Sequence, residues 1–199
     1  NVAQNVAALG AGCDLVAVVG NDTAGATLRT ALDTGRMRSR SLVTVARPTT
    51  TKTRVMARSQ QLVRFDEEED ADLTPDEIAR VLAAIEQALP DATAMVFEDY
   101  NKGVLVPAVI EGAIALATAR GLPVVVDPKF RNFFAYRGAT VFKPNRRELE
   151  SALGAAVDLE HPAALPTTFA RLGVDHLLLT LGEHGMALVS ADGVVHRVP

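Results

Sequence analysis

Tryptophan is absent from these 199 residues, aromatic side chains amount to 5%, and there is a single cysteine, Cys13. One thiol closes no intrachain disulfide, so an apolar core has to hold the fold, and such sparing use of cysteine fits a reducing compartment. Cys13 has no evident cationic setting and reads as a small residue beside a strand. No apolar run approaches the roughly 20 residues needed to span a bilayer. The first residues lack the charged-then-apolar order of a secretory signal. A cytoplasmic protein without membrane contact is the expectation. An excess of basic charge is missing as well. With 20 Lys and Arg against 24 Asp and Glu the net charge is −4, which leaves nucleic acid without general electrostatic support.

What is present suits a globular α/β chain, since 48% of the residues are apolar and 22% are charged. Short β-rich runs alternate with stretches of 3.6-residue period, with Gly or Pro at the junctions. That is the pattern of repeated β-α units on a mostly parallel sheet flanked by helices. The runs predict strands at Leu15–Val19, Ala94–Phe97, Pro123–Val126, Thr140–Phe142 and His176–Thr180. A helix is predicted over Pro75–Leu89, with Thr74 and Glu77 at capping-box spacing and a stripe of Ile78, Val81, Leu82, Ile85 and Leu89. A second runs from Pro107 to about Arg120 and stops at Gly121. Residues 42–66 break the rhythm: they are rich in Val and Thr, have a turn at Ser59 and Gln60, and contain no helical period. They predict a small antiparallel β flap inserted in one domain that occupies residues 1–199. The acidic run from Glu67 to Asp72 reads as a solvated connector.

Ligands of open parallel sheets gather at the carboxyl ends of the strands. Here those ends carry Asn21 and Asp22, then Glu98 to Gly103, then Asp127 and Lys129. Lys143, Asn145 and Glu148 come next, followed by Thr180, Gly182, His184 and Gly185. Lysines neutralise phosphate oxygens, carboxylates hold hydroxyls or hydrated Mg²⁺, and glycines let backbone approach a nucleotide. Several such clusters on one edge suit phosphoryl transfer. The Gly-x-x-x-x-Gly-Lys-Ser/Thr loop is absent, so a nucleotide has to be held in another way. His161, His176, His184 and His196 have no partner at metal-ligand spacing.

NVAQNVAALGAGCDLVAVVG, NDTAG, DYNKG, DPK, KPNRRE and TLGEHG occur in the order found in the ribokinase (pfkB) family of carbohydrate kinases, and the chain resembles that family over nearly its whole length. The flap stretch TTTKTRVMARSQQLVRFDEE, with EDYNKGVL, VVVDPK and YRGATVFKPNRRE, is most similar to the family's D-glycero-β-D-manno-heptose 7-phosphate kinase branch. The resemblance implies a ribokinase-like fold. It implies that Asn1 and Asp99 bind sugar hydroxyls and that Lys52, Arg54 and Lys102 lie near the sugar phosphate. ATP would be met by Lys129, Asn145, Glu148, Thr180, Gly182 and Gly185, with Glu148 reaching Mg²⁺ through water. Glu98 departs from the small residue of the family pattern. The residues leave other assignments open: solvated flap charges for Lys52 and Arg54, a salt bridge to Asp127 for Lys129, and a helix cap for Asn145 with Glu148.

The implied reaction phosphorylates O1 of heptose 7-phosphate for ADP-heptose and lipopolysaccharide core synthesis. A family kinase for a different phosphorylated sugar, or a non-catalytic sugar- or nucleotide-binding module, fits the same residues. The family's Gly-Ala-Gly-Asp segment, which carries the proton acceptor, does not occur between Asn1 and Pro199. The expectation is therefore a kinase domain truncated at both ends, with its base beyond Pro199 and no turnover by this chain alone. Exposed flap strands also suggest a homodimer through residues 42–66.

Overall fold

A computed structural model of the chain describes residues 2–33, 37–161 and 165–199. These residues form two compact units, where the sequence reading expects one domain with an inserted flap. One unit runs to Pro90 and includes Lys102–Val104; the other comprises Asp91–Asn101 and Leu105–Pro199.

The first unit holds α1 (Val2–Ala8), β1 (Cys13–Asp14), β2 (Ala17–Gly20), α2 (Thr23–Leu32), β3 (Met37–Arg38), β4 (Leu42–Val45), β5 (Thr51–Ala57), β6 (Gln60–Glu67) and α3 (Pro75–Ala88). Strand β1 pairs with β3 and β2 with β4, both in parallel, while β5 and β6 form an antiparallel hairpin. This redraws the flap. Leu42, Val43 and Val45 are buried, so β4 is a core strand in register with β2, and only residues 51–67 form the hairpin. Its turn falls at Arg58 and Ser59, one residue earlier than predicted, with Arg58 left-handed at φ 55°. Val19, Leu32 and Leu42 close the core against Leu15, Ala17, Leu28 and Met37.

Helix α3 forms for the reasons legible in its sequence. Thr74 and Glu77 exchange both capping-box bonds, Pro75 occupies the first turn, and Val81, Ile85 and Leu89 are buried. Such a cap contributes about 1 kcal/mol. Arg80 holds the register by donating to the Thr44 carbonyl of β4 at 2.7 Å.

The second unit contains β7 (Met95–Glu98), α4 (Pro107–Thr118), β8 (Val124–Asp127), β9 (Val141–Phe142), α5 (Arg146–Leu153), α6 (Leu165–Leu172), β10 (His176–Thr180), β11 (Met186–Ser190) and β12 (Val195–Val198). Its sheet has the order β12-β11-β10-β9-β8-β7. Strands β7 to β10 are parallel, and β11 and β12 are added antiparallel at one edge. Val126, Phe142, Leu177 and Leu179 are at most 1% exposed, and burying each such side chain contributes about 1.5–3 kcal/mol. Val109, Ile110, Ala113 and Ala117 of α4 are wholly buried. The helix ends where Gly121 turns left-handed at φ 66° and the Leu122 amide returns to the Ala117 carbonyl at 3.0 Å.

Candidate functional site

Strand β7 ends at Glu98, and the next residue, Asp99, is a buried carboxylate of the second unit. The Asp99 amide extends the ladder by donating to the Asp127 carbonyl at 3.1 Å. The residue is 5% exposed. One oxygen accepts from the Asn101 amide at 2.8 Å and the other from the Tyr136 hydroxyl at 2.9 Å. Asn101 is left-handed, with φ 54°, a conformation Asn tolerates better than most residues. Tyr136 is 1% exposed and its ring packs against Phe97 and Phe142 at centroid distances of 5.7 and 6.1 Å. Burial pushes the Tyr136 phenol well above its ordinary pKa, and the adjoining Asp99 charge adds to this. The phenol stays protonated and therefore donates.

Tyr136 was not among the sequence candidates. A signal for it existed, because it is one of two tyrosines, it precedes a core strand, and a buried tyrosine hydroxyl needs a polar partner. Nothing in its spacing named Asp99 as that partner.

At the ends of β8 and β9 the pairing is crossed. Lys143 donates to Asp127 at 2.8 Å, while Lys129 donates to Glu148 at 2.8 Å. The Lys129–Asp127 bridge left open by the sequence is thus replaced by Lys129–Glu148. Asn145 caps α5: its side chain accepts from the Glu148 amide at 2.8 Å, and Glu148 accepts from the Asn145 amide at 2.8 Å. The box leaves one Glu148 oxygen facing Lys129. Burial alone would raise the Glu148 pKa, but Lys129 and the Asn145 amide outweigh it and hold the carboxyl below its ordinary value. Lys129 is correspondingly raised by its bond to Glu148. Glu98, in register with Asp127, behaves oppositely. Burial raises its pKa, the Asp127 charge raises it further, and Lys143 and Lys129 offset only part of this.

At the end of β10, Thr180 forms a parallel bridge with Asn145, which ties this strand end to the α5 cap. Gly182 and Gly185 have φ 64° and 77°. A Cβ on Gly185 would lie 2.0 Å from the Val198 carbonyl oxygen, so the close approach of backbone requires glycine there. Asn145 and Glu148 also line an open cavity of about 490 Å³ whose other walls include Phe130, Phe133 and Phe134.

In the first unit, NDTAG is built into the scaffold. Asp22 caps α2 by accepting from the Gly25 amide at 2.7 Å, and it accepts from the Thr49 amide and hydroxyl, both at 2.8 Å. The Thr49 and Gly25 bonds hold its pKa low. On the hairpin, Lys52 reaches Asp66 at 2.8 Å and Glu68 at 3.1 Å. Lys102 bonds the other oxygen of Glu68. Arg47 fixes that corner by donating to the Lys102 carbonyl at 2.9 Å. Gly103, at φ 69°, packs so tightly that an added Cβ would sit 1.9 Å from the Ala71 carbonyl oxygen. Arg54 is exposed and stands opposite Arg64 in the hairpin register. Asn1, also among the candidates, lies outside the described residues.

The structure therefore brings Lys52 together with Lys102, and Lys129 together with Asn145, Glu148 and Thr180. Among the described residues no three His, Cys, Asp or Glu side chains converge as metal ligands. Because the Glu148 carboxylate is committed to Lys129 and its own helix cap, it fits a hydrated cation better than a directly bound one.

The family model for pfkB family carbohydrate kinases matches residues 1–199. The chain belongs to that family. Among curated relatives, the bifunctional protein HldE of Azorhizobium caulinodans is 47% identical over 203 residues, covering 100% of this chain and 42% of the relative. That of Rhodospirillum rubrum is 43% identical over 202 residues, covering 100% and 41%. The chain thus spans about two fifths of the length of these relatives. Solved pfkB-type folds agree with the architecture. The tetrameric inhibited form of Escherichia coli phosphofructokinase-2 has TM-score 0.72 at 19% identity, over 99% of this chain and 65% of that one. Arabidopsis thaliana ribokinase complexed with ribose and ATP has TM-score 0.64 at 17% identity, over 94% and 61%. The fold is ribokinase-like, as the order of motifs implied. No helix among the described residues is long and apolar enough to cross a membrane.

Proposed function

We propose that the chain supplies the sugar-phosphate and nucleotide contacts of a cytoplasmic kinase that moves the γ-phosphoryl group of ATP to the anomeric hydroxyl of D-glycero-β-D-manno-heptose 7-phosphate. The product would be the 1,7-bisphosphate used in ADP-heptose and lipopolysaccharide core synthesis. The observation that carries the phosphorylated-sugar reading is the pair of ammonium groups, Lys52 and Lys102, gathered around a single carboxylate on the hairpin side of the first unit. Two cations converging on one anion form a recognition element for a phosphate. Relatives named HldE, 43–47% identical over the whole chain, support the heptose branch of the family.

In this reading Asp99, oriented by Tyr136 and the Asn101 amide, accepts hydrogen bonds from sugar hydroxyls, which Asn1 also contacts, and Arg54 joins Lys52 and Lys102 near the sugar phosphate. Lys129, Asn145, Glu148, Thr180, Gly182 and Gly185 meet the nucleotide. Mg²⁺ arriving with ATP would neutralise phosphate charge, with Glu148 contacting its water shell. None of the 199 residues is assigned as the proton acceptor. A homodimer through the hairpin belongs to the same reading, supported by the exposure of Val55, Met56, Leu62, Val63 and Phe65.

The test is titration calorimetry with heptose 7-phosphate and, separately, a non-hydrolysable ATP analogue. Lys102→Ala should weaken the sugar phosphate roughly ten- to a hundredfold and leave the ATP analogue unchanged. Unaltered sugar-phosphate affinity would remove the phosphate role of Lys102 and with it this substrate.

A further inference from the structure

Glu68 follows directly on β6, which ends at Glu67. Its two oxygens point to different lysines, one from the hairpin at 3.1 Å and one from Lys102. A carboxylate bridging two ammonium groups occupies the place that two oxygens of a phosphate would take. The contacts lie at the surface, with the side chains of Glu68, Lys102 and Lys52 exposed by 27%, 32% and 42%. Lys102 and then Lys52 hold the Glu68 pKa below its ordinary value, so the group is ionised at neutral pH. The hairpin that carries Lys52 pairs with no further strand among the described residues. Asp66 also holds the Lys52 ammonium, at 2.8 Å, and Arg47 holds the Lys102 backbone carbonyl at 2.9 Å. Lys52 therefore has a second anchor for its charged group, and Lys102 has one for its backbone.

We infer that Glu68 is an internal competitor for the substrate's phosphate, holding Lys52 and Lys102 until that phosphate displaces it, and so setting the affinity for phosphorylated sugars. This deepens the sugar-phosphate reading above and rests on it. Two physical effects oppose each other. Glu68 keeps the lysines gathered, which helps binding, but it occupies them with a negative charge, which hinders it. Because Asp66 holds the Lys52 ammonium and Arg47 fixes the backbone that carries Lys102, we take the charge effect to decide the sign.

Glu68→Gln should tighten heptose 7-phosphate roughly three- to tenfold, the factor corresponding to two released surface ion pairs. It should leave unphosphorylated heptose and the ATP analogue unchanged. The gain should shrink as salt is raised toward 1 M, where charges separated by more than about 3 Å are screened. Glu68→Ala, read in the same titration, controls for a residual hydrogen bond from the amide. Unchanged or weaker sugar-phosphate binding in both variants would overturn the inference. A gain shared by unphosphorylated heptose would overturn it as well, since the effect would then not concern the phosphate. Lys102→Ala separates the two levels. If that variant weakens sugar phosphate and Glu68→Gln fails to tighten it, only the competitor role falls; if Lys102→Ala has no effect, the sugar-phosphate reading falls first.

Discussion

Two lysine–carboxylate pairs, Lys52 with Asp66 in the first unit and Lys129 with Glu148 in the second, have the same 2.8 Å separation and similar side-chain exposure. Their supports are unlike. Lys52 and Asp66 stand on a two-stranded hairpin, with most of its residues exposed. Lys129 follows an interior strand of a six-stranded sheet, and Glu148 is locked into the capping box of α5. Distance alone therefore says little about what a charge pair does. On the isolated hairpin Lys52 has a second carboxylate, Glu68, beside Asp66, whereas the pair built on a core strand and a helix cap is part of the scaffold. In a kinase the first property suits a substrate-covering element and the second suits the fixed seat of a nucleotide.

The exposed side meets a rigid point at the corner formed by Lys102 and Gly103. Gly103 follows Lys102 directly, combines a left-handed φ of 69° with a backbone approach that admits no Cβ, and sends its carbonyl to the Leu73 amide at 3.1 Å. Gly103→Ala should lower stability by about 3 kcal/mol or more, the sum of backbone strain and overpacking. Urea unfolding would show this as a lower midpoint at unchanged slope. A variant within 0.5 kcal/mol of the parent would mean that the Ala71–Gly103 contact gives way freely, and that the Lys102 corner is as mobile as the hairpin.

Tyr136→Phe comes next and probes the buried side. Phe fills the same volume, so the aromatic packing against Phe97 and Phe142 survives, but one Asp99 oxygen loses its donor. The expected cost is about 1–3 kcal/mol in unfolding free energy. Sugar-phosphate affinity should fall while affinity for the ATP analogue stays level, because Tyr136 acts by positioning Asp99. A loss shared equally by both ligands would instead mark a general loosening of the second unit.

Legibility in the sequence followed the same division. Helix α3 was readable almost to the residue because its cap, its first-turn proline and its apolar stripe are all local. The polar runs after β7 to β10 follow strands that lie parallel in one sheet, whereas Asn21 and Asp22 follow β2, which pairs with β4 in a separate sheet. Two features escaped because they depend on partners distant in the chain. Leu42–Val45 has the β-branched, apolar composition of a hairpin strand, and only its pairing with Ala17–Gly20, more than twenty residues away, makes it core. Lys129 had an acidic neighbour two residues back, yet its partner is Glu148, because Asp127 is taken by Lys143 from the adjacent strand. Residue types and spacing announce a charged edge; the register of the sheet decides who pairs with whom.

The smallest expected effect sharpens the contrast through pH. Glu98 ends β7 directly before Asp99, and burial together with Asp127 raises its pKa in the folded chain. The sign follows from linkage. A carboxyl whose folded pKa exceeds its unfolded value binds protons more readily when folded, so at neutral pH its ionised form costs stability. That cost disappears as pH falls through the folded pKa toward the ordinary carboxylate range. Glu98→Gln should accordingly raise the melting temperature slightly at pH 7, with the advantage gone near pH 4. The exposed side should titrate in the opposite sense. Asp66 is held low by Lys52 and Arg64, and Glu68 by Lys102 and Lys52, so their pairing is present above the ordinary carboxylate range and is lost only as pH falls through their depressed values. Melting curves of Glu98→Gln and the parent between pH 4 and 7 check this. If the two curves ran parallel, the Glu98 carboxyl would not feel its burial, and the strand edge would be as open to water as the hairpin.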